Sequence, residues 1–331
     1  MDASMERTLL VVVPCLDEEA TVGRVVSAVP RNVDGFDRVE VVVFDDGSTD
    51  GTAVAAREAG AEVVRHESNR GLGATFREAV RFALDHGASA VVHIDGDGQF
   101  DPGDIPLLTA PVVEGRADMV TASRFMRREL VPKMPTIKRW GNWGVAWVVR
   151  LLTGESFHDV SCGFRCFSRE ALLRMNLFGS FTYTPESFMD LVFKELSILE
   201  VPVRVRGTRE FGESRIASSI PRYAWRSMKI MLRAFISYRP LRLFFTLGAL
   251  FLAVGAGLLG FLLVHYARTG AFSPHIWAGF VGGSFGFLGI STLITGLIGD
   301  MLVRIRLNQE KILYQQKRAE LERRERDAIG T

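Results

Sequence analysis

Cysteine is scarce in this chain: Cys15, Cys162 and Cys166 are the only three among 331 residues. Three thiols so placed cannot build a disulfide framework, which points to a reduced compartment. Cys162 and Cys166 have no second Cys/His pair at metal-ligand spacing, so packing is the expected role and a zinc site is not. An excess of one charge is also missing. The 40 basic residues against 38 acidic ones leave a formal +2, which gives no reason to expect nucleic acid as a partner. Met1 to Thr8 is short and polar, so no signal peptide is expected and the N-terminal part stays on the side where it was made.

What is present is a repeat of strand, turn and helix. Leu9 to Val13 is a β-branched run too short for a helix, expected to end at Pro14, and Glu18 to Val29 has helical spacing. Val39 to Phe44 is a second strand, followed by an alanine-rich helix to about Glu58. Ala61 to Val64 and Gly71 to His86 form a third unit, and Ala88 to Ile94 a fourth strand. Continuous apolar strands alternating with helices predict an α/β domain, a mostly parallel sheet covered on both faces, with ligands at the carboxyl ends of the strands. Pro14, Asp45 and Asp95 sit at three such ends.

The fourth strand runs into His93-Ile94-Asp95-Gly96-Asp97-Gly98-Gln99. If the strand pattern continues, Asp95 and Asp97 point the same way, and both are hard oxygen ligands suited to Mg²⁺ or Mn²⁺ beside a diphosphate. An acidic turn after a strand is the plain alternative for this motif alone. Asp45 can accept from a ring N–H or a ribose hydroxyl, while Ser48 or Asp50 is placed to cap the helix that follows. Asn69 to Gly73 puts Arg70 and two glycines before a helix, a diphosphate neighbour or an ordinary turn on that evidence.

Taken in order, Pro14-Cys15-Leu16-Asp17-Glu18, the run Asp45 to Thr52, Asn69-Arg70-Gly71-Leu72-Gly73 and Asp95-Gly96-Asp97-Gly98-Gln99 resemble the motifs of family 2 glycosyltransferases with the GT-A (Rossmann-like) fold. The resemblance implies that Pro14, Cys15, Glu18, Asp45, Asp46, Arg70, Gly73, Asp95 and Gly96 bind the nucleotide of a nucleotide-sugar. It also implies that Asp95, Asp97 and Gln99 hold a metal, Mg²⁺ or Mn²⁺. Asp17 stands where the family more often has Asn. Asp159-Val160-Ser161-Cys162-Gly163-Phe164-Arg165 is similar to the Asp…Ser-Gly-Phe-Arg segment of dolichyl- or polyprenyl-phosphate sugar synthases, with Cys162 inserted. Arg209 to Arg215 resembles the Arg-x-x-Gly-x-Ser-Lys signature of that subfamily with Arg in the last place. Arg209, Ser214 and Arg215 are thereby candidates for the acceptor phosphate, and Glu186 falls in the region of the family's catalytic acid. A Gln-x-x-Arg-Trp motif is absent, which favours a single transfer over processive synthesis.

Met126 to Trp140, with five basic residues and two prolines, reads as a long loop over the acceptor site. Arg124, Lys138 and Arg139 are candidates there for clamping a phosphate. Arg222, Arg226, Lys229 and Arg233 share one helical face beside Trp225, Met228, Leu232 and Phe235, the pattern of a helix lying in a membrane interface. Leu243 to Ala267 would extend roughly 37 Å as a helix, beyond a hydrocarbon core of ~30 Å. Ile276 to Val303 is a second such run. Arg268 is the only Lys or Arg near their loop, so both termini and the catalytic domain are expected in the cytoplasm. Glycine pairs 279/283 and 282/286 allow close helix approach within one chain or in a homo-oligomer.

The expected organisation is a catalytic domain over 1–219, juxtamembrane helices over 220–242, two spans over 243–303 and a charged helical tail over 304–331. The expected reaction is inverting, metal-dependent hexose transfer from a nucleotide-sugar to membrane polyprenyl phosphate, giving a polyprenyl-phosphate sugar. Asp97, Arg124 and Glu186 would be the catalytic residues, with loss of Glu186 hurting less than loss of Asp97. The two-span layout favours UDP-glucose as donor, as in bacterial polyprenyl-phosphate glucosyltransferases; GDP-mannose is the alternative. A nucleotidyltransferase or a catalytically silent membrane scaffold are the rivals of other classes.

Overall fold

The computed structural model describes residues 6–132, 134, 136–177, 183–207, 225, 228–229, 232–233, 235–236 and 238–329, without the side chains of 137, 138 and 324–329. By internal contacts the chain divides into two units, Met1–Leu232 with Tyr314–Thr331, and Arg233–Leu313.

The first unit is built on a seven-stranded sheet in the order β3-β2-β1-β4-β6-β5-β7. Its strands are β1 (Thr8–Cys15), β2 (Arg38–Asp45), β3 (Glu62–Arg65), β4 (Ala90–His93), β5 (Met119–Ser123), β6 (Arg165–Ser168) and β7 (Ile198–Pro202). Helices α1 (Glu19–Ala28), α2 (Thr52–Glu58) and α3 (Leu72–Asp85) follow the first three strands. Then come α4 (Ile105–Val113), α5 (Thr136–Thr153), α6 (Arg169–Arg174) and α7 (Thr184–Phe193). β1 pairs in parallel with β2 and β4, β2 with β3, and β5 with β7, whereas β6 runs antiparallel between β4 and β5. The sheet is thus mostly parallel, as the apolar strands predict.

The boundaries move for physical reasons. β1 does not end at Pro14 but carries it in register with Phe44. In a parallel strand alternate residues bond to the same neighbour, so Pro14 faces the β4 side, where pairing has stopped at Val12 and His93. Its missing N–H therefore leaves no gap in the ladder. One face of the sheet packs Val11, Val13, Val43, Val92 and Ile94 against Val22 and Val26 of α1 and Leu108 of α4. The other face stacks Phe76 of α3 on Tyr183 and sets both rings against His93.

In this unit the charged end of the last helix also finds partners: Tyr314 donates to Glu170 at 3.0 Å, Arg174 covers the Tyr314 ring, and Leu321 is buried. The second unit is a helical hairpin, α8 (Pro240–Thr269) and the first part of α9 (Ile276–Ile329). Both helices are long and apolar enough to cross a membrane, and neither is buried within the protein. They meet through glycines: a methyl group on Gly255 would stand 2.8 Å from the Gly282 carbonyl oxygen. Gly282 is thus taken up inside the hairpin, while Gly283 faces open space. Asp300 pairs with Arg304 one turn on, at 3.1 Å.

Candidate active site

Hydrogen bonds carry the ladder past the ends of the strands: Asp46 N–H donates to Cys15 O and His66 N–H to Asp45 O, each at 2.9 Å, and Ile94 N–H to Val12 O at 3.0 Å. The turns beyond are laced together. Asp17 N–H donates to Ser48 Oγ at 2.9 Å, Thr49 N–H to Asp17 Oδ1 at 2.8 Å, and Glu18 N–H to Thr52 Oγ1 at 2.8 Å. Asp17 itself has a φ of 51°, a left-handed conformation that Asp and Asn tolerate better than most residues. Ser48 is therefore spent on the first turn and does not cap α2. Asp50 Oδ1 does accept from the Thr52 N–H, at 3.0 Å.

Asp45 is fully buried, and its Oδ1 accepts from the Ser48 N–H at 2.8 Å. Its Oδ2 makes no hydrogen bond among the described residues but lies 3.2 Å from Arg65 Nε, a charge contact with the N–H poorly aimed. A buried carboxylate oxygen with an open acceptor site is what a ring N–H or hydroxyl of a ligand would fill. Asp46 differs from its neighbour. It accepts from Arg70 N–H at 2.8 Å, Gly71 N–H at 2.9 Å and His66 Nδ1 at 2.8 Å, so both its oxygens hold the turn before α3. The Arg70 side chain is exposed and pairs with Glu78, and Gly73 is buried inside α3.

The acidic stretch is a turn, not an extension of β4, so alternation along a strand does not align Asp95 with Asp97. Contacts to the turn hold it instead. Thr21 Oγ1 donates to Gly96 O at 2.7 Å, and Asp97, 3% exposed, accepts from the Gln99 N–H at 3.0 Å. Cys15 lies at the centre: burial pushes its thiol up, and the charges of Glu18, Asp45, Asp95 and Asp97 push it further. The charges of four carboxylates from three strand-ends thus all act on one buried thiol. On the other side, Asp95 packs on the Cα of Gly163, where a methyl group would stand 2.8 Å from Oδ2. Gln99 donates its amide to Arg206 O at 3.1 Å and ties down the segment after β7, leaving only its oxygen for a cation. Among the described residues no three His, Cys, Asp or Glu side chains converge on one point. Asp95 and Asp97 fit a divalent cation as two hard ligands of a shell that substrate oxygens and water would complete.

Arg124, at the end of β5, meets Asp159 in a bidentate pair, Nε to Oδ2 at 2.6 Å and Nη2 to Oδ1 at 2.8 Å, and also donates to Ser161 Oγ at 2.8 Å. Burial works against the guanidinium charge, but Asp159 and, further off, Asp95 carry it above its ordinary pKa. Burial likewise works against the Asp159 carboxylate, and Arg124 outweighs it, holding it below the usual range. Arg124 Nη1 makes no hydrogen bond among the described residues and remains available to an anion.

The stretch expected as a loop up to Trp140 becomes helix at Thr136, the start of α5. That helix is fastened by Asn142, which accepts from Ser161 Oγ at 2.7 Å and donates to His158 O at 3.1 Å. Arg139 is exposed in its first turns. The Lys138 side chain and Arg209, Ser214 and Arg215 lie outside the described residues. Glu186 is half-buried in the first turn of α7, beside Thr184 O and Ser187 Oγ, which Arg165 binds at 2.9 and 2.6 Å. Arg165 itself is fully buried and also binds Cys162 O and Val160 O.

Sequence reading missed Arg65, Asn142 and the pair His93 and Tyr183. Tyr183 Oη lies 2.7 Å from His93 Nδ1, and both reach the Gly163 carbonyl, at 3.2 and 3.1 Å. Burial lowers the His93 pKa to about 3 against the Gly163 hydrogen bond, with the Arg165 charge acting in the same direction as burial. The imidazole is thus neutral, and it sets the carbonyl of the glycine on which Asp95 rests.

Three comparisons bear on what this arrangement belongs to. The chain is 33% identical to an uncharacterised protein of Methanocaldococcus jannaschii over 62% of its length and 84% of the relative. It is 30% identical to polyprenol monophosphomannose synthase of Mycolicibacterium smegmatis, over 65% and 82% respectively. Its fold matches glucosyl-3-phosphoglycerate synthase of Mycobacterium tuberculosis, solved with Mn²⁺, uridine-diphosphate-glucose and phosphoglyceric acid. That match has a TM-score of 0.56 at 23% identity and covers 69% of this chain and 80% of the other. The description Glycosyl transferase family 2 matches residues 10–175, half of the chain, and with strand-ends, acidic turn and relatives in agreement the protein belongs to that family as a glycosyltransferase of GT-A fold.

Proposed function

We propose that this glycosyltransferase moves a hexose from a nucleoside-diphosphate sugar to the phosphate of a membrane polyprenyl lipid, in one inverting step. The observation that carries the reading is the buried Asp45 with its open Oδ2 at the end of β2, together with the acidic turn of Asp95 and Asp97 after β4 and Arg124 held by Asp159 after β5. The open Oδ2 of Asp45 takes a base N–H, and Arg65 beside it neutralises the buried charge. Asp95 and Asp97 would hold Mg²⁺ or Mn²⁺, whose chemistry is to offset charge on the departing nucleoside diphosphate. Arg124, fixed by Asp159 and Ser161, presents Nη1 to the lipid phosphate and orients it. A phosphate monoester has its second pKa near 6, so it arrives largely dianionic and needs no general base. Glu186 then acts on the sugar or its orientation rather than as an essential base.

The lipid acceptor is supported by the name of the mycolicibacterial relative and by the two apolar helices, and by the positive-inside rule both termini and the catalytic domain would lie in the cytoplasm. UDP-glucose remains the favoured donor from the two-span layout. The mannose in that relative's name favours the second reading, GDP-mannose. A panel of radiolabelled nucleotide-sugars incubated with the full chain, polyprenyl phosphate and Mg²⁺ or Mn²⁺ tests this. Label from one donor in the organic phase supports the reading and names the sugar. Label from no donor, with either metal, sinks it.

A further inference from the structure

α5 turns its apolar side outward. Trp140, Trp143, Trp147 and Leu151 are 72%, 64%, 52% and 62% exposed, and at i, i+3, i+7 and i+11 they form one stripe. The opposite face buries Ala146, Val149 and Thr153 and is fastened by Asn142. A soluble helix of this kind would have the reverse pattern. Arg139 and Arg150, both exposed and also spaced by i+11, lie along one flank of the stripe.

We propose that the tryptophan face of α5 is seated in the headgroup and acyl boundary of an anionic bilayer, and that Asn142 passes the position of this docked helix to the Arg124 phosphate clamp. The bilayer is the occupant the observations favour. The same chain carries two helices fit to cross a membrane, tryptophan is the side chain that prefers the boundary, and the arginine flank matches anionic headgroups. The consequence concerns the acceptor site. Ser161 Oγ accepts a hydrogen bond from Arg124 Nη2 and donates one to Asn142 Oδ1, so a helix set at the lipid surface and the group that orients the lipid phosphate are joined by two hydrogen bonds. Asn142 is a positioning residue, and the enzyme is built for a phosphate presented at a bilayer rather than one free in water. This consequence rests on the lipid-acceptor reading above; the docking itself does not.

Two measurements test it on the full chain in vesicles of phosphatidylcholine and phosphatidylglycerol. With Trp225→Phe and Trp277→Phe, only the three α5 tryptophans fluoresce. Lipids brominated near the headgroup end of the acyl chain should quench them, and acrylamide should not. Quenching by acrylamide without bromine quenching overturns the docking, and protection from both reagents overturns it in favour of a protein cover such as a second copy of the chain. The second measurement is transfer. Trp140→Glu with Trp147→Glu should slow transfer to bilayer-held polyprenyl phosphate roughly tenfold, while transfer to a short water-soluble prenyl phosphate is kept. Asn142→Ala should raise KM for the acceptor and leave KM for the donor unchanged. Equal loss with both acceptors, or equal change in both KM values, contradicts the coupling. If the native chain uses no prenyl phosphate at all, the proposed function fails, while the quenching still reads the docking.

Discussion

Asp45 and Asp46 are adjacent, identical in type and opposite in use. Asp46 spends both oxygens on the turn before α3, whereas Asp45 keeps one oxygen open in a fully buried place. The same economy holds at Arg124, where Asp159 takes Nε and Nη2 and frees the remaining nitrogen. Asp159→Asn would leave a guanidinium without its counter-charge. We expect a loss of about 3 kcal/mol by thermal melting, the low end for a broken buried pair, because the Arg124 side chain keeps 19% exposure. The acceptor KM should rise in the same variant.

Gly163 has a steric reason of its own, since Asp95 lies against its Cα. Gly163→Ala should move that carboxylate by a few tenths of an ångström or more and cut transfer by roughly a hundredfold, with the melting temperature little changed. A wild-type rate would show that the placement of Asp95 is not critical. His93 gives a pH signature. Its folded pKa of about 3 is below the ordinary 6.5, so between these values the unfolded chain binds the extra proton. Its contribution is complete above pH 6.5 and falls by roughly 1.4 kcal/mol for each unit below that. Melting curves at pH 7 and pH 5 should therefore diverge in the native chain and converge in His93→Asn. Equal slopes would assign the acid sensitivity elsewhere.

At the scale of elements, apolar runs announced β1, β2 and β4, because a strand buried on both faces has little freedom of composition. β6 begins with the buried Arg165 and has four residues, and nothing in Arg165-Cys166-Phe167-Ser168 separates it from a loop. The stretch read as a loop, Met126 to Trp140, takes in only the start of α5 (Thr136–Thr153), because Pro132 and Pro135 break the periodicity just before it. The strand-ends and their acidic residues were legible as motifs. What was not legible is division of labour within them, since Asp45 against Asp46, or Gln99 as a tie to Arg206, depends on contacts between distant turns. The hairpin of α8 and α9 makes its own prediction. Gly255→Leu would drive a side chain into the Gly282 carbonyl and should cost about 1–3 kcal/mol of helix packing. Earlier thermal aggregation in detergent is the expected result, while Gly283→Leu, facing open space, should behave as the native chain does.

For the whole molecule, two kinds of chemistry occupy two parts of one chain. In the proposed reaction the sheet would bring a water-soluble, doubly charged donor to the ends of its strands, and the apolar helices would bring the protein to where a lipid phosphate is found. The central claim joins them: Asp95 and Asp97 serve transfer of a sugar onto that phosphate. The most direct test compares the native chain with Asp97→Asn in detergent with polyprenyl phosphate and the donor that the panel selects. Sugar should enter the organic phase with the native chain. It should fall by roughly a thousandfold with Asp97→Asn, and likewise when a chelator removes the divalent cation. Undiminished transfer by Asp97→Asn would contradict the assignment of the acidic turn, and label recovered only in water-soluble product would contradict the lipid acceptor.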